Sequence, residues 1–412
     1  MYFMETKRLQ NYAHALLTTG VNLQKNQTLV ISVDVENSDF ALIVTKEAYA
    51  LGAKEVVVNW RSTEIGKERL LHAAEEVLAN PAPWIPSYYQ TYVDAGAAFL
   101  SLISANPKAL AGVPSERIAT QSRNLNKALA FYHEAIMDST LTWCVASVAT
   151  LRWADLLGFT GSDSEKTDAL WSEIFTLCRL ENVSEEENLP KHLERLSHRT
   201  KAMNEYHFKT LHYTCANGTD LTIDLPKNHL WQGGAESAKN GTIFDANIPT
   251  EEVFTAPQYD GVNGVVYSTK PLIYQGNEIN DFHFKFENGK IVDYDAKVGK
   301  EHLKHLIETD EGSAYLGEVA LVDHYSPISQ SNRIYFETLY DENASCHLAI
   351  GAAYPTCLAN SDGLNKEQLK AEGLNDSLTH VDFMVGHETM NIEGTTFDGK
   401  KVQVMKEGRL LI

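Results

Sequence analysis

Hydrophobic periodicity changes character once along this chain, near residue 185, and that change restricts the fold more than any other feature. Before it, short apolar runs alternate with segments of helical spacing. TLVISV (28–33), EVVVN (55–59), AAFLSLIS (97–104) and LTWCVASV (141–148) read as buried strands. Helical patterns occupy 8–22, 36–52, 64–78, 121–137 and 163–180. Strands alternating with helices build a mostly parallel sheet with helices on its faces. The stretch 184–206 is polar, charged and helix-prone, and reads as a connection. After it the turn dipeptides Asn217-Gly218, Asn288-Gly289, Asp398-Gly399 and Glu407-Gly408 punctuate the chain. Asn-Gly and Asp-Gly supply the positive φ angles of tight hairpins. A helix is expected at 299–309. The sequence therefore predicts an α/β N-terminal domain with a mostly parallel sheet over 1–190. An α+β C-terminal domain rich in antiparallel hairpins follows over 191–412 and would carry the chemistry. A length of 412 residues suits two domains of ordinary size.

The formal net charge of -20 narrows the partners. Such a surface repels phosphate backbones and anionic lipid, so neither nucleic acid nor a membrane is expected as a partner. No apolar run reaches the ~18 residues of a membrane helix. The five cysteines are odd in number and form no CxxC pair, which suits reduced, mostly buried thiols. The N-terminal stretch MYFMETKRLQNY lacks a basic-then-apolar targeting pattern, so a cytoplasmic location is expected.

Common catalytic motifs are absent: there is no HExxH, GxSxG, P-loop or GxGxxG. His387-Glu388 begins like a zincin motif but has no second histidine. His302 and His305 share a helical face among lysines and a glutamate, and read as solvated surface.

Four segments of the second half instead place polar residues in apolar, strand-like settings, where a charge needs a partner or a metal. In NIPTEEVFTAP (247–257), Glu251 and Glu252 point to opposite faces of a strand, so one of them can face a shared site. In YLGEVALV (315–322), Glu318 is the only charge, held by a cation or a buried ion pair. In CHLAIGAAYP (346–355), His347 lies on an apolar strand that turns through small residues to Tyr354; a core histidine is the plainer reading. In LTHVDFMVG (378–386), alternation puts His380 and Asp382 on one face, as metal ligands or as a hydrogen-bonded pair. Imidazole and carboxylate ligands without thiolates suit zinc, cobalt or manganese, and argue against a structural zinc site.

These four segments, in this order, resemble those of the thermophilic-type metallo-aminopeptidases, the M29 peptidase family, and the likeness extends over essentially the whole chain, including Trp231-Gln232-Gly233-Gly234. The resemblance implies metal ligands at Glu252, Glu318, His347, His380 and Asp382, and an active-site tyrosine at Tyr354. It also implies a homodimer and two divalent ions per chain, zinc or cobalt first, with manganese or magnesium as alternatives. The expected activity is removal of the N-terminal residue from short peptides by a water bridging two metals. Glu318 would be the bridging carboxylate, Tyr354 an oxyanion donor, and Glu251 a candidate general base or a supporting residue behind the ligands. Alternatives are another two-metal hydrolase, such as a phosphoesterase, or a non-enzymatic, metal-stabilised dimeric binding protein.

Overall fold

The computed structural model describes residues 2–274, 277–361 and 363–412. The chain forms two compact units, Met1–Leu189 with Ala235–Pro249, and Pro190–Gly234 with Thr250–Ile412.

In the first unit, strands β1 (Thr28–Asp34), β2 (Glu55–Arg61), β3 (Ala98–Ile103) and β4 (Trp143–Ser147) lie parallel in the order β2-β1-β3-β4. A two-residue strand, Asn247–Ile248, adds parallel to β4 as the fifth. The apolar runs are the core: Leu29, Val30, Ile31, Phe99, Leu100 and Leu102 are buried. Local signals set the helix ends. Ser38–Leu51 stops at Gly52, whose φ of 98° is open to glycine. Asp163–Leu177 starts from a capping box of Ser162 and Glu165. The expected helix at 8–22 is Tyr2–Ala15 followed by a wider π turn, Leu16–Gly20. That at 121–137 is two helices, Ser115–Ala128 and Ala130–Met137. Trp84–Asp94 is a helix that periodicity did not show, because its prolines read as breakers. Pro86 sits in its first turn, where no N–H partner is needed.

The second unit holds two antiparallel sheets. The larger has nine strands, and all four turn dipeptides join neighbours in it: Phe208–Thr214 with Asp220–Asp224, Asn277–Glu287 with Lys290–Val298, and Asn391–Thr396 through Lys401–Lys406 to Arg409–Leu410. The expected helix near 299–309 is Lys300–Ile307. The smaller sheet consists of β5 (Glu252–Thr255), β6 (Leu316–Val322), β7 (His347–Gly351) and β8 (His380–Met384), in that order. Its inner strands β6 and β7 are buried along their whole length. Among the described residues no helix is long and apolar enough to cross a membrane.

Candidate metal centre

The register of the smaller sheet fixes which side chains meet. Directly opposed residues of an antiparallel pair share a face, as do residues two apart on one strand. Glu252 opposes Val322, which shares its face with Ala320 and Glu318. Ala320 opposes His347, and Glu318 opposes Ala349. Ala349 in turn opposes Asp382, and Gly351 opposes His380. Glu252, Glu318, His347, His380 and Asp382 therefore stand on one face, drawn from all four strands. Between them lie Ala320, Ala349 and Gly351, small enough to leave room above the sheet.

The side chains form two groups that share Glu318: Glu252, Glu318 and His347, and Glu318, His380 and Asp382. His347 Nε2 lies 3.1 Å from Glu252 Oε2 and 3.4 Å from Glu318 Oε1. His380 Nε2 lies 3.3 Å from Glu318 Oε2 and 3.6 Å from Asp382 Oδ1. Each oxygen of Glu318 thus faces a different histidine.

Both imidazoles are oriented from behind. His347 Nδ1–H donates to the Ser345 carbonyl at 3.1 Å, and His380 Nδ1–H donates to the Ala352 carbonyl at 2.8 Å. With Nδ1 carrying the proton, Nε2 presents its lone pair to carboxylate oxygens. Two acceptors at that distance repel unless a proton or a metal cation stands between them. Donor atoms sharing an ion at about 2.0–2.2 Å in a tetrahedral shell stand roughly 3.3–3.6 Å apart; three of the four separations fall in that range and the His347–Glu252 one, at 3.1 Å, just below it. Among the described residues, the buried Glu252 Oε2 has no polar partner other than His347 Nε2. The two groups have the chemistry to hold divalent cations.

Electrostatics agree with that fit. Burial opposes ionisation of Glu318, but His347 and His380 overcome it and hold the carboxyl at about 2. Burial would likewise lower the histidines; the carboxylates win, raising His380 to about 11 and His347 well above its ordinary value. Burial raises Glu252 against the pull of His347. The set is negative enough to bind protons or metal tightly.

Tyr354 follows β7 and is half-buried, its ring 4.8 Å from that of His380. Burial, then the charges of Glu318, Asp382, Glu342 and Glu252, push its hydroxyl far above the ordinary value, so it stays a donor. Glu251 lies outside both groups. It precedes β5, and its buried carboxylate stands 3.5 Å from His192 Nε2. Sequence reading missed Glu342, on the short turn Glu342–Ala344 before β7. Burial, then Glu252 and Asp382, raise it well above the usual carboxylate range. Its surroundings, DENAS, look like an ordinary polar turn, so no pattern marks it.

The family pattern described as thermophilic metalloprotease (M29) matches residues 5–410. Aminopeptidase AmpS of Bacillus subtilis (strain 168) is 44% identical over 403 residues, 98% of each chain. Aminopeptidase T of Thermus aquaticus is 35% identical, covering 99% of each. The solved structure of wild-type AmpT from Thermus thermophilus superposes with a TM-score of 0.91 at 34% identity, over 98% of this chain and 99% of that one. With a fold shared end to end and a face of carboxylates and imidazoles suited to divalent cations, the chain belongs to the M29 family of thermophilic metalloproteases and is a peptide hydrolase.

Proposed function

We propose that this protein is a metallo-aminopeptidase that removes the first residue from short peptides with a free N-terminus, using two divalent ions. The observation that carries this reading is Glu318, whose two oxygens face two histidines in two separate groups. Relatives named as aminopeptidases at 35–44% identity support the substrate class. Nitrogen and oxygen donors without thiolates favour zinc or cobalt, with manganese or magnesium as weaker fits. When bound at these residues, such ions would supply Lewis acidity, making water a nucleophile near neutral pH and polarising the scissile carbonyl.

The chain's own residues do the rest. Glu318 bridges the two halves and fixes their separation. Glu252 and Asp382, at the two ends of the cluster, present carboxylate oxygens that attract the substrate's free α-ammonium. Tyr354 keeps its proton and donates to the developing oxyanion. Glu251, beside His192 and outside both groups, is kept for a supporting role, and Glu342, whose carboxyl feels the charges of Glu252 and Asp382, joins it. The four buried cysteines among five free thiols suit a cytoplasmic enzyme. The resemblance that implies the two ions also implies a homodimer, which sedimentation equilibrium tests.

The deciding experiment compares a short peptide with its N-acetylated twin, using protein stripped by chelator and then reloaded with zinc or cobalt. Metal-dependent release of the first amino acid from the free peptide alone is the expected result. Cleavage of neither, with metal bound, overturns it and turns attention to a phosphoesterase or a binding protein.

A further inference from the structure

Two buried asparagines, outside the ligand set, stand one behind each half of the cluster. Asn343 is fully buried, at 0% exposure. Its Oδ1 accepts the Glu251 N–H at 2.7 Å, and its Nδ2 donates to the Leu339 carbonyl at 2.9 Å. It thereby pins the residue before Glu252 to the turn that leads through Glu342 to His347. On the other side of that peptide, the Thr250 carbonyl accepts from His192 Nε2 at 2.8 Å. The backbone that aims Glu252 is held at two successive residues.

Asn375, 5% exposed, does the equivalent at the other end. Its Nδ2 donates to the carbonyls of Gly312 and Gly351 at 2.8 and 2.6 Å, and its main-chain carbonyl accepts the Ala353 N–H at 3.0 Å. Between these two anchors lies Ala352, whose carbonyl orients His380 and whose N–H donates to Thr379 at 2.8 Å. A carboxamide suits both places for one reason. At Asn343 the carboxamide supplies an acceptor and a donor, at Asn375 it supplies two donations, and at neither place does it add charge beneath a cluster already rich in carboxylates. An aspartate would add charge, and a leucine would leave buried backbone groups unpaired.

We propose that Asn343 and Asn375 are positioning residues, each specific to one half of the cluster. Asn343 sets Glu252 against His347, and Asn375 sets His380 against Asp382 and Glu318. Partners behind metal ligands typically change metal affinity ~10–100-fold when removed. Here the losses fall on different ions.

This rests on the two-ion reading, and the experiment separates the two. Chelator-stripped wild-type protein and variants are titrated with Co2+ against a chromophoric chelator, reading stoichiometry and affinity. H380A leaves the half built by Glu252, Glu318 and His347; H347A leaves the half built by Glu318, His380 and Asp382. In the H380A background, N343A weakens the remaining ion by about 10–100-fold, and N375A leaves it unchanged. In the H347A background the two asparagines exchange effects. Each asparagine variant is thus the folding control for the other, and circular dichroism accompanies both. N343S and N375S replace the alanines where alanine prevents folding. Equal losses in both backgrounds, or no loss in either, overturn the proposal. Wild-type protein that binds fewer than two ions overturns the two-ion reading instead, whatever the asparagines do.

Discussion

Glu318 gives one oxygen to each histidine, so a change there reaches both halves of the cluster at once. Glu318→Gln removes the charge and turns an amide NH2 towards one imidazole. The expected outcome is loss of both ions together and a fall in kcat/KM of at least about 1000-fold. Retention of both ions at wild-type affinity with full turnover would sink the bridging role. Tyr354 makes the opposite prediction, because only its hydroxyl is asked to act. Tyr354→Phe keeps the ring beside His380, so metal content and KM should hold while kcat drops about 100–1000-fold. An unchanged kcat would remove Tyr354 from the chemistry. At this scale the sequence was legible wherever burial and alternation coincide. His380 and Asp382 stand two apart in an apolar strand, and Glu318 is the one charge in another. Alternation could not choose between Glu251 and Glu252; it takes the β5–β6 register to put Glu252 on the ligand face. Glu342 and Asn343 lie in a polar turn whose burial comes from packing distant in sequence, so nothing local reveals them.

Elements bring these side chains together through close backbone approach. The β6–β7 pairing shifts register between Leu316 and Glu318, and a Cβ at Gly317 would run into the Gly351 and Ala352 carbonyls. Gly317→Ala must push β6 from β7 one residue from Glu318. A stability loss of about 1–3 kcal/mol is expected, with weakened metal binding, read by thermal melts and chelator competition. Wild-type values in both would show that the strands yield at no cost. A second element carries a charge conflict of its own. The strand pair Glu236–Ser237 and Ile243–Phe244 leads to Asp245, which is buried with Oδ1 unpaired. Burial, then nearby Glu236, raises Asp245 from 3.8 to about 7. An acid raised by folding binds more protons in the native state, so stability falls as pH climbs through that interval. Asp245→Asn should raise Tm by a few degrees at pH 8 and leave it near wild type at pH 4. An equal effect at both values would refute the burial account. Strands and hairpins were readable because each is local: apolar runs for β1 to β4, Asn-Gly and Asp-Gly turns for the larger sheet. The fifth parallel strand was not readable, since two residues carry no period and the chain reaches it only after entering the second unit.

For the whole molecule, the proposed centre links metal and fold, because its candidate ligands come from four strands of one sheet and meet only in the folded chain. An ion that binds the folded state alone stabilises it by about 2.7 kcal/mol at 100 times its dissociation constant, so chelation should lower Tm. The pH dependence of that gap follows from the histidines. In the metal-free protein His380 is raised from 6.5 to about 11 by its carboxylate neighbours, against burial. A raised histidine contributes stability that is complete below its unfolded value and is lost as pH rises towards the folded one. The proton thus does for the stripped cluster part of what the cation does for the loaded one. Raising pH from 6.5 removes that substitute, and it favours metal, whose binding must displace the proton from Nε2. Both effects have the same sign. The gap in Tm between metal-loaded and stripped protein should therefore widen steadily from pH 6.5 to pH 9. Titration calorimetry in buffers of different ionisation enthalpy should show proton release on binding in the same range. A gap that stays constant with pH, with no protons released, would mean that the imidazoles are neutral before the metal arrives and that the carboxylates do not hold them charged.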